Sequence, residues 1–547
     1  MNGADTLGPG LLIATLATPL VLLLACLWRR LRDSMPALLV LAPLPGLAAA
    51  ILATGGTPLA FDQPQLEVSL ALDVPGAILL GVAALLWSAA GVYAFTDLRG
   101  KANSARFAVC WLLTLTGSLG VFIAADLLGF YLFFALVSLP AYGLIVHDDD
   151  DQAVRRAGGV YMAFTVLGEA FLLMGFVLLA AGEPNGSVQI RDVVAALPQS
   201  PWCDAALGFT VAGFALKIGT VPAHGWMPLT YAAAPIPAAS VLSGAAVKAG
   251  VIGLIRFLPF DTAMPGSGET LVALGFFSAF YGVAVGITQA NPKTVLAYSS
   301  VSQMGVITAV LGMGLAAGDQ GVALDTAFYA ATHVLAKGAL FLAVGVVAVT
   351  SARRLRPTLL LAAVLALGLG GLPLTGGALA KLAVKEPLGD GVVGLLANLS
   401  AVGTTLLMLH FLQRLARTAP QTEQPAAAAG LAMPWQVMAL ASVAVPWLLY
   451  PFAGGHLADA LTPGALFDAL WPVLIGAALA FVLRRWENRL PHLPAGDIVG
   501  AAETAFRASY IIGGASERAD GLLRQWTMAG LSLLAIALVL GAATLFG

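Results

Sequence analysis

Charge is scarce in this chain. Only 10% of its 547 residues are Asp, Glu, Lys or Arg, against about a quarter in an average soluble domain, while 59% are hydrophobic. Such a composition excludes an ordinary soluble enzyme and indicates an integral membrane protein. The formal net charge of −2, with the bases scattered through short loops, leaves no basic patch for nucleic acid. Cysteine is scarcer still: Cys26, Cys110 and Cys203 are too few and too far apart for a disulfide framework or a zinc site, and they read as apolar fillers. No glycine-rich phosphate loop, haem-binding or iron–sulfur cysteine pattern, or nucleophile elbow occurs. No cofactor, metal or catalytic nucleophile is therefore expected, and any proton moved uphill must draw on energy supplied elsewhere. The N-terminal MNGADTLGPG carries an acid and no base, the reverse of a signal peptide, so the first helix is expected to be retained.

What the chain has in abundance is apolar runs of membrane-spanning length. They fall near 10–28, 36–54, 75–96, 106–124, 127–146, 157–182, 205–228, 236–257, 268–288, 294–316, 322–349, 357–386, 389–412, 433–452, 467–483 and 527–546, about sixteen in all. None shows the alternation of a barrel strand. The fold class expected is an all-α polytopic membrane protein without a separate soluble domain.

The loops alternate in charge. Arg29, Arg30 and Arg32 follow the first run, Arg99, Lys101 and Arg106 the third, Arg155 and Arg156 the fifth, and Lys293 the ninth. Arg353, Arg354 and Arg356 follow the eleventh, Arg414 and Arg417 the thirteenth, and Arg484, Arg485 and Arg489 the fifteenth. One side thus collects nearly all the bases, with Arg256 the main exception. By the positive-inside rule that side is cytoplasmic, which puts both termini on the periplasmic side of a bacterial inner membrane. Two stretches stand outside the pattern. Thr418 to Met433 reads as a flexible connector, and Gly496 to Gln525, too charged to span, reads as an amphipathic segment near 497–525 on the cytoplasmic surface. The HDDDD run from His147 reads as a solvated loop.

The seventh run is interrupted by Pro222 and Pro228, the twelfth by Pro373 among glycines. Such breaks free backbone groups that protein or cavity water must satisfy, and paired breaks in two halves of a transporter point to its ion site. The corresponding halves are 106–257 and 268–412, flanked by 1–105 and 413–547. Kinked helices packing through small residues are the alternative reading. Ionisable residues lie within these runs as a series: Glu169, Lys217, Lys248, His333, Lys337, Lys381 and Lys385, with His410 near the end of the thirteenth and His224 between the prolines of the seventh. A central membrane lysine facing lipid costs roughly 3 kcal/mol, so four of them imply a common wet interior and a proton relay. For each lysine taken singly, a structural hydrogen bond or a snorkelling stem is the plainer reading, and Lys385, followed by Glu386 and Pro387, is most open to it.

Four segments carry a resemblance: LKIGTVPAHGWMPLTYAAAPIPAASVLSGAAVKAGVIGLIR, NPKTVLAYSSVSQMG, THVLAKGALFLAVG and GLPLTGGALAK. Over roughly residues 75–415 the chain resembles the proton-conducting antiporter-like subunits of respiratory complex I, of Mrp sodium/proton antiporters, and of membrane-bound hydrogenases and formate hydrogenlyase. The resemblance implies two inverted five-helix repeats with broken helices 7 and 12. It also implies a polar midplane axis in which Lys217, Lys248, His333, Lys337 and Lys381 form the relay. One position departs from the pattern: Ala135 stands where the family has a glutamate paired with the helix-seven lysine. Glu169 on the next helix is a candidate substitute.

The function expected is that of a proton-translocating subunit, non-catalytic by itself, of a hetero-oligomeric complex resembling NADH:quinone oxidoreductase or hydrogenase assemblies. The alternatives are a cation/proton antiporter handling sodium, a subunit for proton-driven uptake of inorganic carbon, or a non-pumping scaffold that has lost its coupling acid. The expected partners are other membrane subunits, protons and the bilayer.

Overall fold

The computed structural model describes residues 3–26, 35–56, 58–63, 66–101, 103–147, 151–420, 427–485, 491 and 493–500. Arg29, Arg30, Arg32 and Arg489, almost all of the amphipathic segment expected near 497–525, the centre of the connector expected at 418–433, and the last span expected near 527–546 lie outside the described residues. The chain divides into a main unit, Met1–Ala495, and a small one, Gly496–Gly547.

The main unit is built from α1 (Gly3–Ala25), α2 (Leu44–Leu52), α3 (Val74–Asp97), α4 (Ser104–Gly120), α5 (Leu127–Ile145) and α6 (Gln152–Gly182). Then come α7, in two pieces (Cys203–Ile218 and Trp226–Ala233), α8 (Ile236–Phe257), α9 (Pro265–Gly286), α10 (Pro292–Ala317) and α11 (Val322–Ala348). Last are α12, also in two pieces (Ala352–Gly370 and Gly376–Ala383), α13 (Val392–Ala416), α14 (Ala429–Leu449) and α15 (Pro463–Leu483). Among the described residues, eleven helices are long and apolar enough to cross a membrane. The chain is a multi-pass, mostly helical membrane protein.

Burial orders the bundle. α8, α10 and α11 are almost wholly enclosed, whereas few residues of α1 and α15 are buried. Because lipid is as apolar as leucine, close packing rather than hydrophobicity must hold such helices together, and glycine provides it between α9 and α10. A Cβ added at Gly275 would lie 2.6 Å from Ala309 N and Gly305 O, and one at Gly282 would lie 2.6 Å from Tyr298 O.

The connection between α2 and α3 departs from the all-helical expectation. Leu59–Gln63 and Leu66–Leu70, here β1 and β2, pair antiparallel with Leu59 opposite Leu70. LEVSL alternates at the strand period, a signal too short to stand out among apolar runs. Buried Asp126 fixes the hairpin to α5: Oδ1 accepts from Gly129 N at 2.6 Å and Oδ2 from Ser69 N at 2.7 Å.

Arg256, the exception to the charge pattern, is a clamp rather than a loop charge. Its guanidinium donates to the carbonyls of Val121 at 3.1 Å, Phe122 at 2.7 Å and Ala124 at 2.8 Å, and to Asp73 Oδ1 at 2.8 Å. The carbonyls follow the C-terminus of α4, where a cation is favoured, and Asp73 caps α3 by accepting from Gly76 N. At the other end, Arg106 donates to the carbonyls of Val146 and His147, and Asp151 caps α6 through Ala153 N.

Candidate functional site

The α7 run stops at Gly219, whose φ of 72° suits glycine, and resumes at Trp226. Two groups at this interruption find partners in protein: Trp226 Nε1 donates to Leu216 O at 2.8 Å, and Val221 N donates to Ser278 Oγ at 3.0 Å. The stop leaves Lys217 in the last turn of a helix, where the dipole favours a cation. Its Nζ donates to Ser138 Oγ at 2.7 Å and lies 5.5 Å from the centroid of the Phe134 ring. Ser138 Oγ in turn donates to Phe134 O at 2.7 Å, and Tyr161 donates to Ser138 O at 2.8 Å. Glu169 is buried on α6, and no ion pair joins it to Lys217 among the described residues. Neither carboxylate oxygen of Glu169 has a hydrogen-bond partner among the described residues. A void of about 10 Å³ is lined by Ser138, Tyr161, Gly168 and Lys217, at the lower limit for one water.

Gly250 on α8 connects this group to the next, since its missing side chain lets the stem of Lys217 approach: a Cβ there would lie 3.2 Å from Lys217 Cβ. Two residues earlier, after a π-helical turn at Leu242–Ala246, stands Lys248. Such bulges rotate a helix locally and recur at functional sites. Lys248 Nζ lies 2.9 Å from His333 Nδ1, with both side chains at most 1% exposed. Which of the two donates depends on the tautomer of His333. One turn along α11, Lys337 donates to Leu296 O on α10 at 2.7 Å.

On its other side, His333 Nε2 is buried without a hydrogen-bond partner, and the histidine lines a void of about 20 Å³ shared with Gln303 and Tyr329. Tyr329 OH donates to Gln303 Oε1 at 2.7 Å, and Gln303 Nε2 donates to Thr404 Oγ1 at 3.0 Å. Beyond this polar partition lies a cavity of about 310 Å³, lined by Gln303, Tyr329, Lys381, Lys385, Ser400 and Asp468 among others. At α12, broken at Gly371 with φ 98°, Lys381 Nζ donates to Gly370 O, a carbonyl at the end of the first piece. The Ser299, Ser302, Thr326 and Ser400 hydroxyls are buried without a hydrogen-bond partner.

Residues 124–407, a little over half of the chain, match the family model described as NADH:quinone oxidoreductase/Mrp antiporter, TM. The chain belongs to that family. It is 32% identical over 294 residues to NADH-quinone oxidoreductase subunit N of Desulforudis audaxviator, covering 52% of this chain and 56% of that protein. It is 27% identical over 296 residues to hydrogenase-4 component B of Escherichia coli, covering 51% and 43%. The chain thus spans about half the length of these relatives. Among solved structures, a chain of the Mrp complex from Dietzia sp. DQ12-45-1b superposes with a TM-score of 0.70 at 21% identity, covering 86% of this chain and all of that one, which bears on fold alone. The family resemblance read from the four segments is borne out.

Glu169, Lys217, Lys248, His333, Lys337 and Lys381 all fall within the family-matched region. The structure joins Lys248 to His333 and sets Lys217 against α6, the helix that carries Glu169, while Lys381 stands apart beyond the Gln303 partition. Lys385 is set at the surface, half-exposed and 2.7 Å from Asp468. His224 is buried in the α7 turn, its ring edge-on to Tyr281 at 5.1 Å. His410 meets Gln289 O at 2.8 Å at the end of α13, outside the series. Sequence reasoning passed over Ser138, Tyr161, Gln303, Tyr329 and Thr404. Of these, Gln303, an amide in mid-run on α10, carried a visible signal.

Proposed function

We propose that this chain is a proton-translocating, antiporter-like subunit of a multi-subunit complex in a bacterial inner membrane, with the basic side cytoplasmic and both termini periplasmic. Protons pass along Lys217, Lys248, His333, Lys337 and Lys381, with Glu169 modulating the charge on Lys217. Residues 106–257 and 268–412 act as two inverted five-helix units whose broken helices are the two pieces of α7 and of α12.

The observation that carries this reading is the fully buried Lys248–His333 contact at 2.9 Å. Two basic groups sharing one hydrogen bond out of water cannot both hold a charge cheaply, so a proton arriving at one favours release from the other. Family membership and the unpartnered hydroxyls along α10 and α11 support the path. The test is proton flux in proteoliposomes holding the purified complex. Lys248→Ala lowers flux by an order of magnitude or more if the relay operates, and unchanged flux rules it out.

A second reading, a subunit that conducts passively or serves as scaffold, draws on one observation: Lys217 bonds the neutral Ser138 rather than an acid. It is favoured if Glu169→Gln leaves driven flux intact while the complex assembles normally.

A further inference from the structure

At the end where α12 begins and where α13 and α15 finish, the three helices part around a groove of about 690 Å³. α13 packs against both neighbours while α12 and α15 scarcely touch, so α13 forms the floor and the other two form the walls. Leu360, Leu412 and Phe481 make the surface apolar, and Ala363 and Ala480 keep it open. Leu360 and Phe481 are about two-thirds exposed, at 69% and 66%, as suits side chains that meet hydrocarbon.

One end of this groove is charged. Arg356 lies one turn before Leu360 on α12 and Arg484 one turn after Ala480 on α15, and both line the groove. Neither has a hydrogen-bond or ion-pair partner among the described residues, and no acid lines the groove among them. This is the side where Arg353, Arg354, Arg414, Arg417 and Arg485 also gather, Arg485 with its guanidinium 5.8 Å from the Phe481 ring centroid. An apolar trough ending between two unpaired guanidiniums matches one kind of molecule in both parts, a membrane lipid with a negative headgroup. A free anion would leave the trough unused, and a plain apolar helix would leave both arginines unpaired. Basic pockets between spans on the cytoplasmic side are a general mode of headgroup recognition.

We propose that this groove is a binding site for one anionic phospholipid. Its phosphate sits between Arg356 and Arg484, and its acyl chains lie along Leu360, Leu412 and Ala480. The proposal does not rest on the proton-relay reading.

The experiment is native mass spectrometry of the full-length protein in detergent, supplied with phosphatidylglycerol or phosphatidylcholine of identical chains. Phosphatidylglycerol should be retained over phosphatidylcholine. The Arg356→Gln/Arg484→Gln double variant should bind it roughly tenfold or more weakly, since each base near a membrane surface is worth about 1 kcal/mol. Ala480→Phe, which fills the groove and keeps both arginines, should also lose it while its thermal unfolding in phosphatidylcholine stays unchanged. Equal retention of the two lipids means apolar filling alone and overturns the proposal. Phosphatidylglycerol binding that survives the double variant lies elsewhere and overturns it too. A photo-crosslinker at position 480 that captures protein instead of lipid makes the groove a subunit contact and rules the lipid site out.

Discussion

Lys217 donates to Ser138 Oγ at 2.7 Å, one helical turn beyond Ala135 on the same face of α5. A hydroxyl accepts the hydrogen bond without neutralising the charge, and in the proposed relay the acid that modulates Lys217 is Glu169, buried on the neighbouring α6. Glu169→Gln is accordingly expected to cut proton flux several-fold in the native background. In Ala135→Glu, where a new carboxylate stands next to the lysine, the same change should matter little. Flux measured across this double-mutant cycle gives the coupling; simple additivity would refute it.

Lys248 and His333 are each other's buried partner, and under the proposed relay they work as one unit. Lys248→Ala and His333→Ala should each lower flux by tenfold or more, and the double variant should be no worse than either single one, as for groups that work together. Independent multiplication of the two losses would count against a shared proton.

The Arg256 clamp predicts unequal losses from its two ends. Arg256→Gln removes a nearly buried cation from three carbonyls and an acid, and the expected loss is about 3–5 kcal/mol. Asp73→Asn should cost under about 1 kcal/mol, because that carboxylate is 48% exposed and solvent screens it. Thermal unfolding of the detergent-solubilised chain measures both.

Helix packing gives an internally controlled test on α9. Gly275→Ala forces a methyl within 2.6 Å of α10 backbone and should destabilise by about 1–3 kcal/mol. Gly266→Ala, with nothing within 4 Å, should be neutral or slightly stabilising on helix propensity. The same unfolding assay separates them.

The 310 Å³ cavity should be wet and guarded. With the three native cysteines replaced, Ser400→Cys at its buried lining should react with a membrane-impermeant thiol reagent from one side only. Asp468→Asn, which breaks the 2.7 Å pair with Lys385, should speed that reaction several-fold. Labelling from neither side would mean that the cavity is closed to water.

How much of this was legible follows from what each signal depends on. Membrane class and most spans were legible because hydrophobicity acts locally. The β1–β2 hairpin was not, since five alternating residues carry too little signal beside runs of about twenty. Arg256 stood out as an exception to the charge pattern, but its cause lay in carbonyls 132 to 135 residues away. The low cost of a neutral hydroxyl made Ser138 invisible, whereas a buried lysine is conspicuous because burying it is expensive.

The sequence by itself determined that this is a polytopic membrane protein of the NADH:quinone oxidoreductase/Mrp antiporter family. Only the tertiary structure decided which of its polar side chains meet: Lys217 with Ser138 across 79 residues, and Lys248 with His333 across 85. The reason is rotational. A helix as fully buried as α8 has no polar face to show which side looks inward, so the direction of Lys248 is set by the π-helical turn before it and by the packing of α11. Neither is a property of its own residues alone.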